Sequence, residues 1–184
     1  RCHCRSGSPG VKILVTGATG FTGPPVCAAL ADRGHELIAA VRDPARAPES
    51  AKTVTIGDIG PDTDWKPALD GVEAIVHLAG RAHIMRDRAE DPLAAFRAVN
   101  RDGTLTLARQ AAETGVKRLV FLSSIKVNGE ETEDGAYTEA VAAPPVDPYG
   151  LSKWEAEEGL RGLASETRLE VLILRPPLIY GPGV

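Results

Sequence analysis

Short apolar runs recur along the chain, and most of them are rich in β-branched residues. Runs of this length are typical of strands that are buried on both faces of a sheet. The pattern predicts six strands, at 11–16, 36–41, 53–56, 73–78, 118–122 and 170–174.

Segments with a helical spacing of apolar residues lie between these runs. They predict a single helical turn and three longer helices, at 65–69, 24–33, 92–114 and 148–165. Polar residues in and before the helices are interpreted as caps or solvated positions: Asp91, Asp147, Ser152 and Glu155. Strands that alternate with helices predict a parallel sheet covered on both faces, which is the doubly wound α/β architecture.

Three regularly spaced glycines lie between the first predicted strand and the first helix. Gly17, Gly20 and Gly23 follow the pattern G-x-x-G-x-x-G in the segment TGATGFTG. Glycine permits a tight turn and lets a pyrophosphate approach the backbone, and the helix N-terminus offers free N–H groups. The segment therefore predicts a dinucleotide site. Since Pro24 and Pro25 have no N–H, the donors are expected between Gly20 and Gly23.

A tyrosine and a lysine lie four residues apart near the start of the last helix. Tyr149 and Lys153 therefore share one helix face, where an ammonium beside a phenol lowers the phenol pKa. Such a tyrosine exchanges the proton of a substrate hydroxyl. Ser123 and Ser124 close the fifth strand, at the sheet edge where ligands bind in this architecture. Ser124, Tyr149 and Lys153 are the predicted catalytic residues.

Composition narrows the class of protein. The formal net charge of −4 argues against a nucleic-acid partner, and no run of about 18 apolar residues predicts membrane insertion. Cys2, Cys4 and Cys27 form an odd set, which favours a reducing, cytoplasmic setting. Cys27 is expected to pack as a small hydrophobe. Residues 1–10 are interpreted as a disordered tail or cloning remnant, and no metal site is expected.

Seven motifs in register resemble the extended short-chain dehydrogenase/reductase superfamily, and within it the NAD-dependent epimerase/dehydratase family. They are TGATGFTG (16–23), GDI (57–59), HLAG (77–80), VNRDGT (99–104), LSSIKVNG (122–129), YGLSK (149–153) and LRPPLIYGPG (174–183). The resemblance covers residues 11–184 and is strongest to bacterial nucleotide-sugar 4-epimerases. It implies a Rossmann-like domain with bound NAD that removes a hydride from a sugar carbon and returns it, or a dehydratase.

The resemblance also implies roles for individual residues. The catalytic residues would be Ser124, Tyr149 and Lys153. The cofactor would contact Gly17, Gly20, Phe21, Thr22, Gly23, Asp58, Ile59, Leu78, Ala79, Gly80, Asn100, Ser123, Tyr149, Lys153 and Pro176. A nucleotide sugar is the implied substrate, and a homodimer through the long helices is a family expectation.

Two positions depart from the family pattern. Asn128 stands where the family often has a site-lining tyrosine. After the second strand, an acidic residue is expected to hold the ribose of NAD, but Arg42 lies there and Asp43 follows. Arg42 is suited to the 2′-phosphate of NADP; alternatively, Arg42 is solvated and Asp43 holds the ribose. The sequence leaves both open and favours NAD only through the family resemblance.

Two other functions stay open. One is an NADPH-dependent carbonyl reductase, favoured by Arg42, and the other is a non-catalytic NAD(P)-binding module, which has no need of the three catalytic residues. The last residues, 181–184, match a motif that leads into the sugar-binding part of the resembling enzymes. We therefore expect most of the substrate domain to be missing after residue 184, with little sugar turnover by this chain alone.

Overall fold

The computed structural model describes residues 10–82, 91–132, 135–140 and 143–181. The tail with Cys2, His3 and Cys4 lies outside the described residues. In the described part, the strands are β1 (Lys12–Thr16), β2 (Glu36–Val41), β3 (Lys52–Thr55), β4 (Ala74–His77), β5 (Arg118–Leu122) and β6 (Glu170–Leu174). Three of the predicted strands, 36–41, 118–122 and 170–174, have the predicted bounds.

All strand pairs are parallel, and their order across the sheet is β3-β2-β1-β4-β5-β6. The chain moves outward from β1 to β3 and then returns to the centre at β4. This reversal between β1 and β4 opens a crevice at the carboxyl ends of the strands. The predicted doubly wound, Rossmann-like α/β fold is confirmed.

Helices cover the two faces of the sheet. They are α1 (Gly23–Ala31), α2 (Lys66–Leu69), α3 (Pro92–Arg97), α4 (Thr104–Glu113) and α5 (Pro148–Glu166). Alternate residues of β1 point to opposite faces. Ile13 and Val15 pack with Cys27 of α1, which is fully buried as expected, and Leu14 packs with the α4 and α5 side of the core.

The predicted helix over 92–114 is interrupted. A π-helical turn at Ala98–Gly103 separates α3 from α4. Gly103 lies at its end, where a Cβ would overlap Ile59 after β3. Glycine at position 103 therefore lets the π turn pack closely against the segment after β3.

One outer strand departs from the expectation of a fully covered sheet. Val171 and Ile173 of β6 pack against the core, but Leu172 and Leu174 on the opposite face are 50% and 44% exposed. The α1 face of the sheet is thus open at β6 among the described residues. No helix within those residues is both long and apolar enough to cross a bilayer.

Candidate active site

The glycine turn lies in the crevice between β1 and β4. Gly17 follows β1 with φ +68°, and a Cβ at this position would lie 2.7 Å from the Ala79 backbone nitrogen after β4. Both the backbone conformation and the close approach require glycine. At Gly23 a Cβ would overlap the Ala18 carbonyl, so glycine lets α1 begin directly against the turn. Gly20 is exposed, and a Cβ at this position would lie 3.3 Å from the Gly17 carbonyl oxygen.

The backbone amides of this turn are arranged differently from the sequence expectation. Gly20 donates to the Gly17 carbonyl at 3.0 Å, and Gly23 donates to the Gly20 carbonyl at 3.1 Å. In the described part of the chain, the Phe21 and Thr22 amides have no such partner, and the Thr22 side chain does not cap α1. Two free amides at an uncapped helix N-terminus fit a pyrophosphate. Within the expected segment Gly20–Gly23, the backbone amides that are free to donate to a pyrophosphate are therefore those of Phe21 and Thr22.

A buried histidine connects the ends of β1 and β4. His77 Nδ1 lies 2.6 Å from Thr16 Oγ1, and its Nε2 lies 2.9 Å from Thr104 Oγ1 of α4. Thr16 Oγ1 also accepts from the Ala79 amide at 3.3 Å. Burial, with a smaller effect of the Lys153 charge, lowers the pKa of His77 to about 3, so the ring is neutral. His77 thus packs inside the core and holds the two strand ends together.

Leu78, Ala79 and Gly80 form the loop that leaves β4, and Asn100 of the π turn supports it. Asn100 is buried; its Oδ1 accepts from the Arg81 amide at 2.8 Å, and its Nδ2 donates to the Arg81 carbonyl at 3.1 Å. The same Nδ2 lies 3.0 Å from Ser152 Oγ of α5. A Cβ at Gly80 would lie 3.2 Å from Asn100 Oδ1 and 3.9 Å from Lys153 Nζ. Asn100 therefore shapes the β4 loop beside Lys153.

Two polar helix positions differ from their sequence interpretation. Ser152 is fully buried against Asn100 and is neither a cap nor solvated. Glu155 forms ion pairs with Arg97 and Arg101, and these pairs join α5 to α3 and the π turn. Asp91 and Asp147 are caps as expected: each accepts from a backbone amide three residues later, at 3.0 and 2.8 Å.

Tyr149 lies at the start of α5, next to the end of β5. Gly150 allows this approach, because a Cβ there would lie 2.8 Å from the Lys126 carbonyl in the loop after β5. Burial raises the pKa of Tyr149, and a hydrogen bond with Ser124 and the Lys126 charge oppose the rise only in part. The expectation that Lys153 lowers this pKa is wrong for this structure. The cation that acts on the phenol is Lys126, which sequence reasoning did not single out.

Lys153 is directed toward β5 and not toward Tyr149. Its Nζ donates to the Leu122 carbonyl at 2.7 Å and lies 4.0 Å from the centre of the Phe121 ring. Burial lowers the pKa of Lys153 to about 7, and the negative charge of Glu157 opposes this effect. At neutral pH the amine thus lies close to its midpoint between ammonium and free base.

The loops after β5 and β6 meet beside Ser124. The Ser123 amide donates to the Leu174 carbonyl at 2.7 Å, and the Ile125 amide donates to the Pro176 carbonyl at 3.0 Å. Ser124 lies between these two contacts, and its Oγ accepts from the Lys126 amide at 3.3 Å. The sheet edge thus brings Ser123, Ser124, Tyr149, Lys153 and Pro176 together.

The remaining predicted cofactor residues lie at the ends of β2 and β3. Arg42 Nη1 forms a 3.1 Å ion pair with Asp58 Oδ1, and the two side chains are 75% and 89% exposed. Asp43 accepts from the Ala45 amide at 3.0 Å and so begins a short 3-10 turn. Ile59 packs against the core beside the π turn. Both Arg42 and the acidic alternatives thus lie at the same edge as the glycine turn.

A comparison with protein families decides the class of the chain. The model of the NAD dependent epimerase/dehydratase family matches residues 13–184. The chain belongs to this family. The match begins at the second residue of β1 and extends through β6.

Curated relatives within this family include both epimerases and reductases. A UDP-glucose 4-epimerase of Vibrio cholerae is 44% identical over 94% of this chain and 53% of its own length. A 3-diazoavenalumate denitrifying reductase of a Streptomyces species is 32% identical over 94% of this chain and 58% of its own length. The chain thus spans about half the length of the curated relatives that it matches.

Two solved structures of similar fold contain nucleotide sugars, and one of them also contains NAD. MoeE5 in complex with UDP-glucuronic acid and NAD has a TM-score of 0.80 and 29% identity, over 94% of this chain and 56% of its own. The UDP-glucose 4-epimerase of Thermotoga maritima with UDP-glucose has a TM-score of 0.79 and 27% identity, over 93% of this chain and 57% of its own.

Proposed function

We propose that this chain is the catalytic and cofactor-binding part of an NAD-dependent nucleotide-sugar 4-epimerase. The observation that carries the proposal is the meeting of Ser124, Tyr149 and Lys153 at the sheet edge that also holds the glycine turn. The similarity to the Vibrio cholerae UDP-glucose 4-epimerase supports this class of reaction and a UDP-hexose substrate.

NAD fits the glycine turn, because Phe21 and Thr22 offer amides to a pyrophosphate and glycine leaves room for it. When bound, the nicotinamide would accept and return the hydride and, when oxidised, add positive charge that favours the phenolate. Gly80, which lies next to Lys153, and Pro176, in the loop after β6, would be among the residues that hold it.

Tyr149 and Ser124 would handle the proton of the sugar 4-hydroxyl. Ser124 and Tyr149 lie where the loop after β5 packs against the start of α5, so a sugar oxygen between them would meet one donor and one proton acceptor. Burial raises the pKa of Tyr149 and therefore favours the phenol. Positive charge from Lys126 and the cofactor would then have to act together before the phenol can release its proton.

The test is an assay of the gene product that carries these 184 residues, without added dinucleotide. UDP-glucose, UDP-galactose and the corresponding UDP-N-acetylhexosamines are incubated separately, and the 4-epimers are resolved by proton NMR. We expect interconversion, with no solvent deuterium at C4 in D₂O, because the hydride returns to the carbon from which it came. Turnover that depends strictly on added NADPH and consumes it in equal amounts would contradict epimerisation.

A second candidate is an NADPH-dependent carbonyl reductase. The observation that favours it is the exposed Arg42 guanidinium at the end of β2, where a 2′-phosphate would bind. The similarity to a Streptomyces reductase is consistent with this chemistry on the same scaffold. The assay above separates the two reactions, because only the reductase needs fresh NADPH for each turnover.

The Tyr149→Phe variant tests the proton role itself. Removing the phenol oxygen should lower turnover by about 10²-fold or more, while NAD binding stays unchanged. Binding is measured by quenching of tryptophan fluorescence on titration with NAD. Near-normal turnover in this variant would assign the proton transfer to another group.

We also propose a cellular location and an oligomeric state for the protein. We propose a cytoplasmic location, since Cys27 is buried as a free thiol. We also propose a homodimer through the long helices, as the family resemblance implies. Light scattering on the purified protein tests the second, and a mass equal to a single chain would refute it.

A further inference from the structure

A carboxylate without an assigned role lies inside the molecule, behind the site. Glu157 of α5 is fully buried, and it lies one helical turn after Lys153 on the same face. An ionised carboxylate is very unfavourable in the interior unless it is paired and hydrogen-bonded. The contacts of Glu157 therefore need an account.

Three side chains bind this carboxylate from three directions. Ser123 Oγ, at the end of β5, donates to Oε1 at 2.5 Å. Arg175, after β6, donates from Nε to Oε1 at 2.9 Å and from Nη2 to Oε2 at 2.5 Å. Arg161, one turn further along α5, donates to Oε2 at 3.0 Å. Each carboxylate oxygen thus has two partners, and both cations belong to arginines, which keep their charge.

Lys153 and Glu157 bind the last residue of β5 and the residue that follows it. Lys153 Nζ binds the Leu122 carbonyl, and Glu157 binds the Ser123 hydroxyl. The next residue along the chain is Ser124. Two consecutive turns of α5 therefore fix the backbone position from which Ser124 reaches Tyr149.

Arg175 extends the network into the loops around the site. Besides Glu157, it donates to Asn128 Oδ1 at 3.2 Å and to the Glu139 carbonyl at 3.1 Å. Its neighbour Pro176 accepts from the Ile125 amide. The side chain of Arg175 is only 11% exposed. The Glu157–Arg175 pair thus connects the ends of β5 and β6, the helix α5 and the loop after β5.

The charge of Glu157 also acts on Lys153. Burial raises the pKa of Glu157, but the hydrogen bonds from Arg175 and Ser123 and the two arginine charges more than reverse this, so the carboxyl is ionised at neutral pH. Its negative charge opposes the burial that lowers the pKa of Lys153. The other groups that face Lys153 are the neutral His77 of β4, the Phe121 ring of β5 and the Gly80 backbone. Glu157 is thus the anion that stabilises the ammonium form.

We propose that Glu157, held by Arg175, is a positioning residue that fixes the end of β5 before Ser124 and, one helical turn from Lys153, favours the ammonium form of its amine. The proposal rests on the active site proposed above, which includes Ser124, Tyr149 and Lys153. A merely structural ion pair would hold the strands together without setting the charge of Lys153, and this difference can be measured.

The test is an NMR titration of the lysine side chains in the cofactor-free protein. The Cε signal of Lys153 is assigned by its absence in Lys153→Met and followed from pH 5 to 10. We expect a midpoint near 7 in the wild type and at least one pH unit lower in Glu157→Gln, which is about a tenfold loss of ammonium relative to free base. Glu158→Gln, the same change at the exposed neighbouring position, should leave the midpoint unchanged.

Two further variants separate charge from packing. Glu157→Asp keeps the carboxylate and should restore the midpoint toward 7. The double variant Glu157→Gln with Arg175→Gln removes the buried arginine together with its anion, so it is expected to fold even if the single variant does not. An unchanged Lys153 midpoint in folded Glu157→Gln relative to the wild type, or in the double variant relative to Arg175→Gln, overturns the proposal. The titration needs no substrate, so its outcome is independent of the epimerase assay.

Discussion

The two halves of the sheet edge are built by opposite means. In the cofactor half, at the ends of β1 and β4, the decisive positions are glycines, and the structure depends on the absence of side chains at Gly17 and Gly23. In the catalytic half, at the ends of β5 and β6, the decisive groups are buried charged side chains, Lys153, Glu157 and Arg175. One half makes room for a ligand, and the other fixes charge beside it.

The halves also differ in how far apart their determinants lie in the chain. The glycine turn is complete within eight consecutive residues, 16–23. The contacts of Glu157 join residues that are 34 positions apart at Ser123 and 18 apart at Arg175. Local geometry therefore dominates the first half, whereas tertiary packing dominates the second. The four predictions below probe this contrast.

The largest stability effect is expected at Glu157. Replacing Glu157 with alanine leaves Arg175 buried without its anion, and breaking a buried pair in this way costs about 3–5 kcal/mol. Glu158→Ala, at an exposed position of the same helix, should change stability by less than about 0.5 kcal/mol. Urea denaturation measures both free energies of unfolding. Equal, small losses would mean that the catalytic half is not held by its buried charges.

In the cofactor half, adding a side chain at a glycine of the turn should destabilise the fold. Gly23→Ala would place a Cβ 2.4 Å from the Ala18 carbonyl oxygen. Because this oxygen belongs to the backbone, the overlap can be relieved only if α1 shifts. We expect a loss of about 3 kcal/mol in the free energy of unfolding. The control is Gly57→Ala, where a Cβ meets open space, and a change within about 0.5 kcal/mol is expected there. Wild-type stability in Gly23→Ala would refute the steric account of the turn.

The same contrast explains what could be predicted from sequence. Local patterns predict the glycine turn, the Asp147 cap and the parallel, doubly wound sheet, and the structure has all three. The placement of Ser124 beside Tyr149 follows as well, because both lie at strand and helix ends that the fold brings to one edge. Their catalytic role stays a prediction.

What sequence reasoning missed depends on contacts between distant elements. Ser152 is buried because the π turn directs Asn100 toward α5, and a helical pattern contains no sign of a π turn. The pKa of Tyr149 rises because burial outweighs the nearby charges, and Lys153 binds a strand carbonyl instead. Glu157 had one local signal, its spacing of four from Lys153, but its partner Arg175 could not be identified without the fold.

His77 lies between the two halves and should couple the fold to pH. Its pKa is about 3 in the folded state against about 6.5 unfolded, so the unfolded chain binds more protons below pH 6.5. Stability therefore falls as the pH decreases from 6.5 toward 3, by about 2 kcal/mol at pH 5 relative to pH 7.5. In His77→Gln this part of the pH dependence should disappear. Urea titrations at the two pH values measure this loss of stability. The same decrease in both proteins would show that a group other than His77 causes it.

The smallest effect on the fold is expected at Arg42, where the cofactor half meets solvent. The Arg42–Asp58 pair is exposed, so Arg42→Ala should change the free energy of unfolding by less than about 0.5 kcal/mol. Its effect on binding distinguishes the two cofactors. If Arg42 holds a 2′-phosphate, the variant should bind NADPH about tenfold more weakly and NADH almost unchanged, since one charge-assisted hydrogen bond is lost. Fluorescence titration with both dinucleotides measures this ratio. Equal losses would show that Arg42 does not read the 2′ position, and the acidic neighbours Asp43 and Asp58 would then be the groups placed to hold the ribose of NAD.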